Sequence, residues 1–252
     1  DHHHIPAKPL EASALINPRL PNCVYPNPNL CSVGLCFKLA HAVRRELHGR
    51  GVTPLPNLKR HLDLVALGTI ADVAPLRGEN HTLVRHGLEE LTRTKKPGMQ
   101  ALKALCQLTG EPVNTGHVGF RLAPRLNAAG RMATGCLAAE LMITDDRSRA
   151  QQLAEHLHEL NRARQETQEH IVEEATAQAK EQLERTGGPG LVLASEGWHS
   201  GIIGIVASRI RESFHQPTLV ISVDGDDCRG SGRTVEGVDL YGALKECQYL
   251  FT

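Results

Sequence analysis

The chain has 252 residues, 28 Lys plus Arg against 28 Asp plus Glu, and only 3% aromatic residues. That length buries one substantial core or two modest ones. The balanced charge excludes a global basic field for nucleic acid and the few aromatics offer few stacking platforms for single strands, so any such function rests on local residues. The 7 cysteines are odd in number, scattered and without a C-x-x-C pair, which fits reduced cytoplasmic thiols better than a disulfide framework or a zinc site. No apolar run approaches the ~20 residues of a membrane span, and no signal-peptide core is visible. The chain does not begin with Met, so its beginning is expected to be missing.

Asp1, His2, His3 and His4 come first. An acid followed by imidazoles is a workable half of a metal site, because imidazole binds borderline cations and a carboxylate orients the ring through its other nitrogen. Three consecutive histidines are also what a purification tag leaves behind. Both readings stand on these residues alone. The proline-rich segment 5–30 reads as an extended crossing with one short strand near "SALIN" (13–17). Val33, Phe37, Ala40, Val43 and Leu47 then recur at helical spacing, predicting an amphipathic helix from Ser32 to Gly49 or Gly51. A mostly buried helix follows from Leu58 to Ala71, and further helices are expected at 79–93, 97–109, 114–123 and 135–143.

Residues 144–186 hold no Gly or Pro and begin with the capping types Thr144 and Asp145, predicting one long helix. Its apolar stripe (Leu153, Leu157, Leu160, Thr167, Ile171, Ala175, Ala179) is narrow, as in a helix spanning two bodies. At 1.5 Å per residue, about 40 residues reach about 60 Å. "GGPG" (187–190) stops it. "LVLA" (191–194) and "TLVISVD" (218–224) flank a helix from about Ile202 to Phe214, a strand, helix, strand unit of the right length for a parallel pair. The chain stops at "ECQYLFT" as if in mid-domain, with Tyr249, Leu250 and Phe251 meant for a core.

Four further stretches carry chemistry. In "GTIADVAPL" (68–76), Asp72 sits at the end of an apolar helix; a buried carboxylate there needs a cation or a set of donors, whereas a capping or solvent-facing Asp needs neither. "RLNAAGRM" (125–132) combines Asn127 and Arg131 with small residues, which suits phosphate oxygens but equally suits a structural loop with arginines paired to acids. "SEGWHSGIIGIVASRI" (195–210) places His199, Ser200 and Gly201 before a helix N-terminus, a ready anion seat at the edge of an α/β sheet. "CRGSGRT" (228–234) repeats the theme with Ser231 and Arg233. Glycine-rich loops often only turn.

In order and spacing, "DHH", "LDLVALGTIADVAPL", "RLNAAGR", "LNRARQ", "WHSGIIGIVASRI" and "GSGRT" resemble the RecJ-type single-strand-specific exonucleases of the DHH phosphoesterase superfamily, over essentially the whole chain. The tag reading gives way to the metal-site reading. The resemblance implies an α/β fold: a helix-rich part of a DHH domain (1–143), a long connecting helix (144–187) and a partial DHH-associated α/β domain (188–252). It implies that His2 and Asp72 ligate a catalytic Mn²⁺ or Mg²⁺, that His3 faces the scissile phosphate, and that Asp1 supports the histidines. Asn127, Arg131, His199, Ser231 and Arg233 would hold phosphates of single-stranded DNA, including the 5′ end; His4 would be incidental. It further implies a cytoplasmic protein without membrane association, monomeric at full length, with a helicase and a single-strand-binding protein as partners.

Two earlier family motifs that supply more aspartates would lie upstream of Asp1, and a "GGH" segment and an oligonucleotide-binding fold downstream of Thr252. The chain is therefore expected to be a middle slice that is inactive by itself, because two-metal hydrolysis needs bridging carboxylates. The expected activity is metal-dependent 5′ to 3′ hydrolysis of single-stranded DNA in repair and recombination. The alternatives are a DHH phosphoesterase acting on short oligonucleotides or cyclic dinucleotides, and a non-catalytic relative that clamps single strands.

Overall fold

A computed structural model describes residues 2, 3, 5 and 12–250 of the chain. It divides into two compact units, Asp1–Asn127 with Gly135–His158, and Ala128–Thr134 with Glu159–Thr252.

The first unit is helical. α1 (Ser32–Gly49) is followed by a 3₁₀ turn (Leu58–His61), α2 (Leu62–Ala71), α3 (Glu79–Thr92) and α4 (Pro97–Leu105). The apolar residues on nearly every face of α2 are explained by its burial: Leu62, Val65, Ala66, Leu67 and Thr69 are all buried. α3 approaches α2 closely at Gly87, where a Cβ would strike the Leu62 carbonyl and the Ala66 side chain. Asp63, 2% exposed at its side chain, receives the Lys96 ammonium at 2.6 Å and the Thr94 hydroxyl at 3.0 Å. That pairing lets a charge sit inside the helix pair. Buried Lys103 donates to the Leu91 and Thr92 carbonyls at the end of α3, and burial lowers its pKa.

Several expectations need correction. No strand forms at 13–17, because no partner strand lies beside it among the described residues. Its polar groups are met locally instead: Asn17 donates to the His3 carbonyl at 3.0 Å and accepts from the Arg19 N–H at 2.9 Å. α4 ends at Leu105, short of 109, since Gln107 takes a left-handed φ of 54°. The expected helix 114–123 appears as a one-turn α5 (Thr115–His117) and a π-helical turn (Val118–Leu122) that lead directly into α6 (Ala123–Met132). "RLNAAGRM" is thus helical and not a loop; Ala128 and Ala129 are fully buried, so small side chains keep that helix close to its neighbours. Among the described residues its arginines do not pair with acids. Arg125 donates to His158 Nδ1 and the Arg121 carbonyl, and Arg131 to the Gly201 carbonyl.

α7 spans Cys136–Ile143, and the long helix α8 spans Arg147–Thr186. Its cap is Asp146 instead of Thr144 or Asp145: Asp146 Oδ1 accepts from the Ser148 and Arg149 N–H groups. The buried stripe of α8 also differs, with Leu160 and Thr167 only partly buried while Asn161 and Gln168 are buried. Gly187, at φ 54°, closes the helix.

The second unit carries a three-stranded sheet in the order β1 (Leu191–Glu196), β2 (Thr218–Asp224), β3 (Asp227–Arg233). β1 and β2 are parallel, as expected from the intervening helix α9 (Ile203–Phe214), and β3 returns antiparallel with Val220 opposite Ser231. "CRGSGR" is therefore a strand. Its lack of β-branched residues is overridden by pairing with β2, and the signal that marks it is the two-residue turn Gly225–Asp226, with Gly225 at φ 58°. Ile171, Ala175 and Ala179 of α8 pack with Leu191, Leu193, Val206, Ile210 and Val220 in the core of this unit. α10 (Leu240–Glu246) follows; Tyr249 and Leu250, expected in a core, are exposed, and Phe251 lies outside the described residues.

Candidate functional site

The first unit brings together two residues seventy positions apart. His2 Nε2 lies 3.1 Å from Asp72 Oδ2. His2 Nδ1 lies 2.9 Å from the hydroxyl of Ser32, the first residue of α1. If Nδ1 carries the proton and donates to Ser32, Nε2 presents a lone pair toward the carboxylate, the arrangement a metal-binding imidazole needs. The His3 ring stands against the His2 ring, with centroids 4.3 Å apart and planes inclined by 36°. Asp1 and His4 lie outside the described residues.

Asp72 is the C-cap of α2, as its sequence position implies, but its side chain is 39% exposed and not buried. The last turn of α2 rises to the surface while the turns before it are covered. The helix ends in a tight backbone closure: the Val73 N–H donates to the Ile70 carbonyl and the Ala74 N–H to the Thr69 carbonyl. Val73 holds the left-handed position of that closure, at φ 54°, where glycine is usual. A carboxylate beside the negative end of a helix is electrostatically unfavourable unless a cation joins it.

These features fit a divalent cation. Imidazole nitrogen and carboxylate oxygen are suitable donors for Mn²⁺, and cis ligands of an octahedral ion with bonds of about 2.1 Å stand about 3 Å apart, close to the 3.1 Å found between Nε2 and Oδ2. Two ligands do not complete a coordination shell. Among the described residues no three His, Cys, Asp or Glu side chains cluster around one point.

The second unit contains a polar cleft of about 540 Å³ lined by Arg131, Ser200, Gly204, Arg229, Ser231 and Arg233, with Gly130, Gly201, Ile203 and Gly230. No acidic residue lines it among the described residues. Arg233 is held by Ser208 Oγ at 3.0 Å, Ser231 Oγ at 3.3 Å and the Gly232 carbonyl at 2.6 Å. Arg131 donates to the Gly201 carbonyl at 3.2 Å. Two glycines make this possible: a Cβ on Gly201 would strike the Arg131 carbonyl, and one on Gly204 would press on Ser231 Oγ at 3.1 Å and the Arg233 guanidinium at 3.3 Å. Concentrated guanidinium and hydroxyl donors beside the start of α9 suit an anion with several acceptor oxygens.

Of the residues expected to hold phosphate, Arg131, Ser231 and Arg233 line this cleft. His199 does not; its Nδ1 accepts from the Gly201 N–H at 3.1 Å, so the ring shapes the turn. Asn127 is exposed on α6 and falls in the other unit. Arg229 is a lining residue that the sequence motifs do not single out, although 229, 231 and 233 alternate along β3 and so share one face. Ser32 gives no sequence signal beyond its place at the start of a helix.

The neighbouring loop is fastened from both sides. Trp198, 4% exposed, donates its indole N–H to Glu174 Oε2 at 2.7 Å, and its carbonyl accepts from the Ser222 hydroxyl at 2.5 Å. Glu174 lies on α8 and Ser222 on β2, so helix and sheet jointly fix the residue before His199.

The chain resembles known proteins over nearly its whole length. The DHHA1 domain family matches residues 187–249. The single-stranded-DNA-specific exonuclease RecJ of Bacillus subtilis (strain 168) is 38% identical over 253 residues, covering 98% of this chain and 30% of that protein. The crystal structure of RecJ in complex with Mn²⁺ from Thermus thermophilus superposes with a TM-score of 0.79 at 32% identity, over 93% of this chain and 33% of that one. The same organism's RecJ in complex with Mg²⁺ gives a TM-score of 0.76 at 33% identity, over 88% of this chain and 33% of that one. The chain thus spans about a third of the length of these relatives.

Proposed function

We propose that this chain, a homologue of the RecJ exonucleases over nearly its whole length, supplies part of the metal centre and the phosphate seat of an enzyme that degrades single-stranded DNA from its 5′ end. The observation that carries the reading is the 3.1 Å approach of His2 Nε2 to Asp72 Oδ2. The names and bound ions of the relatives support the substrate and the choice of Mn²⁺ or Mg²⁺. In this reading residues 1–143 belong to a DHH domain, 144–187 to a connecting helix and 188–252 to the DHH-associated domain, whose family matches 187–249.

His2 and Asp72 hold the ion, and Ser32 keeps the His2 ring in the tautomer that turns the Nε2 lone pair toward it. Bound by these two residues, a divalent ion would supply Lewis-acid polarisation of a phosphate oxygen and a lowered pKa for a bound water. His3, packed on the His2 ring, faces the scissile phosphate, and Asp1 supports the pair. Arg131, Ser231 and Arg233 grip the terminal phosphate and fix the register of the strand, while His199 holds the loop beside them and Asn127 contacts the backbone. Fixed donors at a phosphate cost no reorganisation during reaction, which is the usual source of rate in phosphoryl transfer. In this reading the enzyme is a cytoplasmic monomer that works with a helicase and a single-strand-binding protein. Among the described residues no helix is long and apolar enough to cross a membrane.

The test compares the intact protein with its Asp72→Ala variant on long single strands and on dinucleotides, with Mn²⁺ supplied. Fast release of nucleotides from long single strands, lost in the variant, is the expected result. Preference for dinucleotides would point instead to a phosphoesterase of short substrates, and parental activity in the variant would remove Asp72 from the centre.

A further inference from the structure

β1 is an edge strand, since the sheet runs β1, β2, β3 and only β2 pairs with it among the described residues. Alternate peptide groups of such a strand point away from the sheet and invite a further strand to add. Here they meet α8 instead. The Ala194 N–H donates to Gln178 Oε1 at 3.3 Å, and the Ala194 carbonyl accepts from Gln178 Nε2 at 3.2 Å. One turn along the helix, Gln182 Oε1 accepts from the Val192 N–H at 3.1 Å and Gln182 Nε2 donates to the Gly190 carbonyl at 3.3 Å. Each side-chain amide presents an acceptor and a donor together, as a peptide unit of a neighbouring strand would.

The fit follows from the two repeats. Four residues of helix rise about 6 Å, and two residues of strand advance about 6.6 Å, so side chains one helical turn apart meet successive outward peptide groups. Glu174, one turn before Gln178, continues the row by accepting the Trp198 indole N–H. The composition of β1 makes this cover necessary. Native edges are ordinarily blunted by a charge, a proline or a bulge. Residues 191–195 hold neither charge nor proline, and the register with β2 runs unbroken from Leu191 to Glu196.

We propose that Gln178 and Gln182 guard the β1 edge, holding it shut against β1 of a second copy of this chain. A second copy is the occupant this edge fits, because an uncharged strand edge is complementary to itself across a two-fold axis. The amide is the group the task requires. A glutamate in either place would keep the acceptor, lose the donor and set a carboxylate against a backbone carbonyl. The guard is independent of the nuclease reading given above.

The test replaces both glutamines of the intact protein by methionine, which keeps a long, flexible side chain and removes the donor and acceptor pair. Hydrogen exchange followed by mass spectrometry should show residues 190–196 exchanging about fivefold faster, the effect of about one lost hydrogen bond. Sedimentation velocity over a series of protein concentrations should show a species of twice the parent's mass that grows with concentration. Adding Val192→Lys to the double variant should abolish that species, because a two-fold pair of β1 edges would then bring like charges together. Parental exchange in the double variant would overturn the guard, and so would faster exchange with the parent's mass at every concentration. A doubled species that persists with Val192→Lys would place the association elsewhere and also overturn it. If the double variant fails to fold, Gln182→Glu alone carries the same readouts, decided in the same way.

Discussion

The indole N–H of Trp198 donates to Glu174 Oε2 at 2.7 Å, tying α8 to the loop that precedes α9. Trp198 is only 4% exposed, and Glu174→Ala removes the carboxylate that accepts its indole N–H. That variant should lose about 1–3 kcal/mol of stability, the cost of an unsatisfied buried donor. It should also weaken oligonucleotide binding, because His199 and Gly201 follow directly. Glu174→Gln keeps an acceptor and should restore both. Thermal melts and anisotropy titrations on the three proteins check this, and equal melting temperatures would show that the contact is dispensable.

Asp63 and Lys96 make a second clear prediction. The carboxylate is almost fully buried, and Lys96 is its only cationic partner within bonding distance among the described residues. Lys96→Met should destabilise the first unit by about 3–5 kcal/mol, since it strands a buried charge. The double variant Lys96→Met with Asp63→Leu should recover much of that loss, because no charge is then left unpaired. Denaturant midpoints measure both.

How far the sequence discloses this molecule depends on what kind of force shapes each part. α1, α2 and α3 follow from apolar spacing, and the parallel pair β1 and β2 from two β-rich runs around a helix. α6 is hidden because Ala128, Ala129 and Gly130 read as a loop, although buried alanines pack helices closely. β3 is hidden because its order comes from pairing with β2 and not from its own residues. In α8 a hydropathy pattern favours Leu160 and Thr167, and nothing in it shows that Asn161 and Gln168 are satisfied by one arginine between them. The meeting of His2 with Asp72 is legible only through a family resemblance, and the contact with Ser32 not even so.

A pH dependence follows from Glu79, the first residue of α3. Burial alone would raise its carboxyl pKa, but hydrogen bonds from Lys38 and Tyr25 outweigh that and hold it below the ordinary value of 4.5. A carboxyl depressed in the folded state contributes stability that is present above about pH 4.5 and lost as pH falls through the lower folded value. The parent's melting temperature should therefore fall more steeply than that of Glu79→Gln between about pH 5 and pH 3. Parallel curves would show that the Lys38–Glu79–Tyr25 cluster contributes nothing.

Val73 offers a test by gain. A β-branched residue at φ 54° is strained, and glycine fits that position of the helix closure. Val73→Gly should stabilise the first unit by about 1 kcal/mol after the entropy cost of glycine is subtracted. A lower melting temperature would mean that the Val73 side chain, although exposed, contributes more than its backbone costs.

The proposed metal centre requires one cation shared by His2 and Asp72. Titrating Mn²⁺ into the intact protein, with free Mn²⁺ followed by electron paramagnetic resonance, measures this without any turnover. Parent protein should take up Mn²⁺, and His2→Ala and Asp72→Ala should each weaken uptake at least tenfold while melting cooperatively in the apo form. Parental Mn²⁺ affinity in both variants would contradict the account, leaving the 3.1 Å contact as an ordinary ion pair.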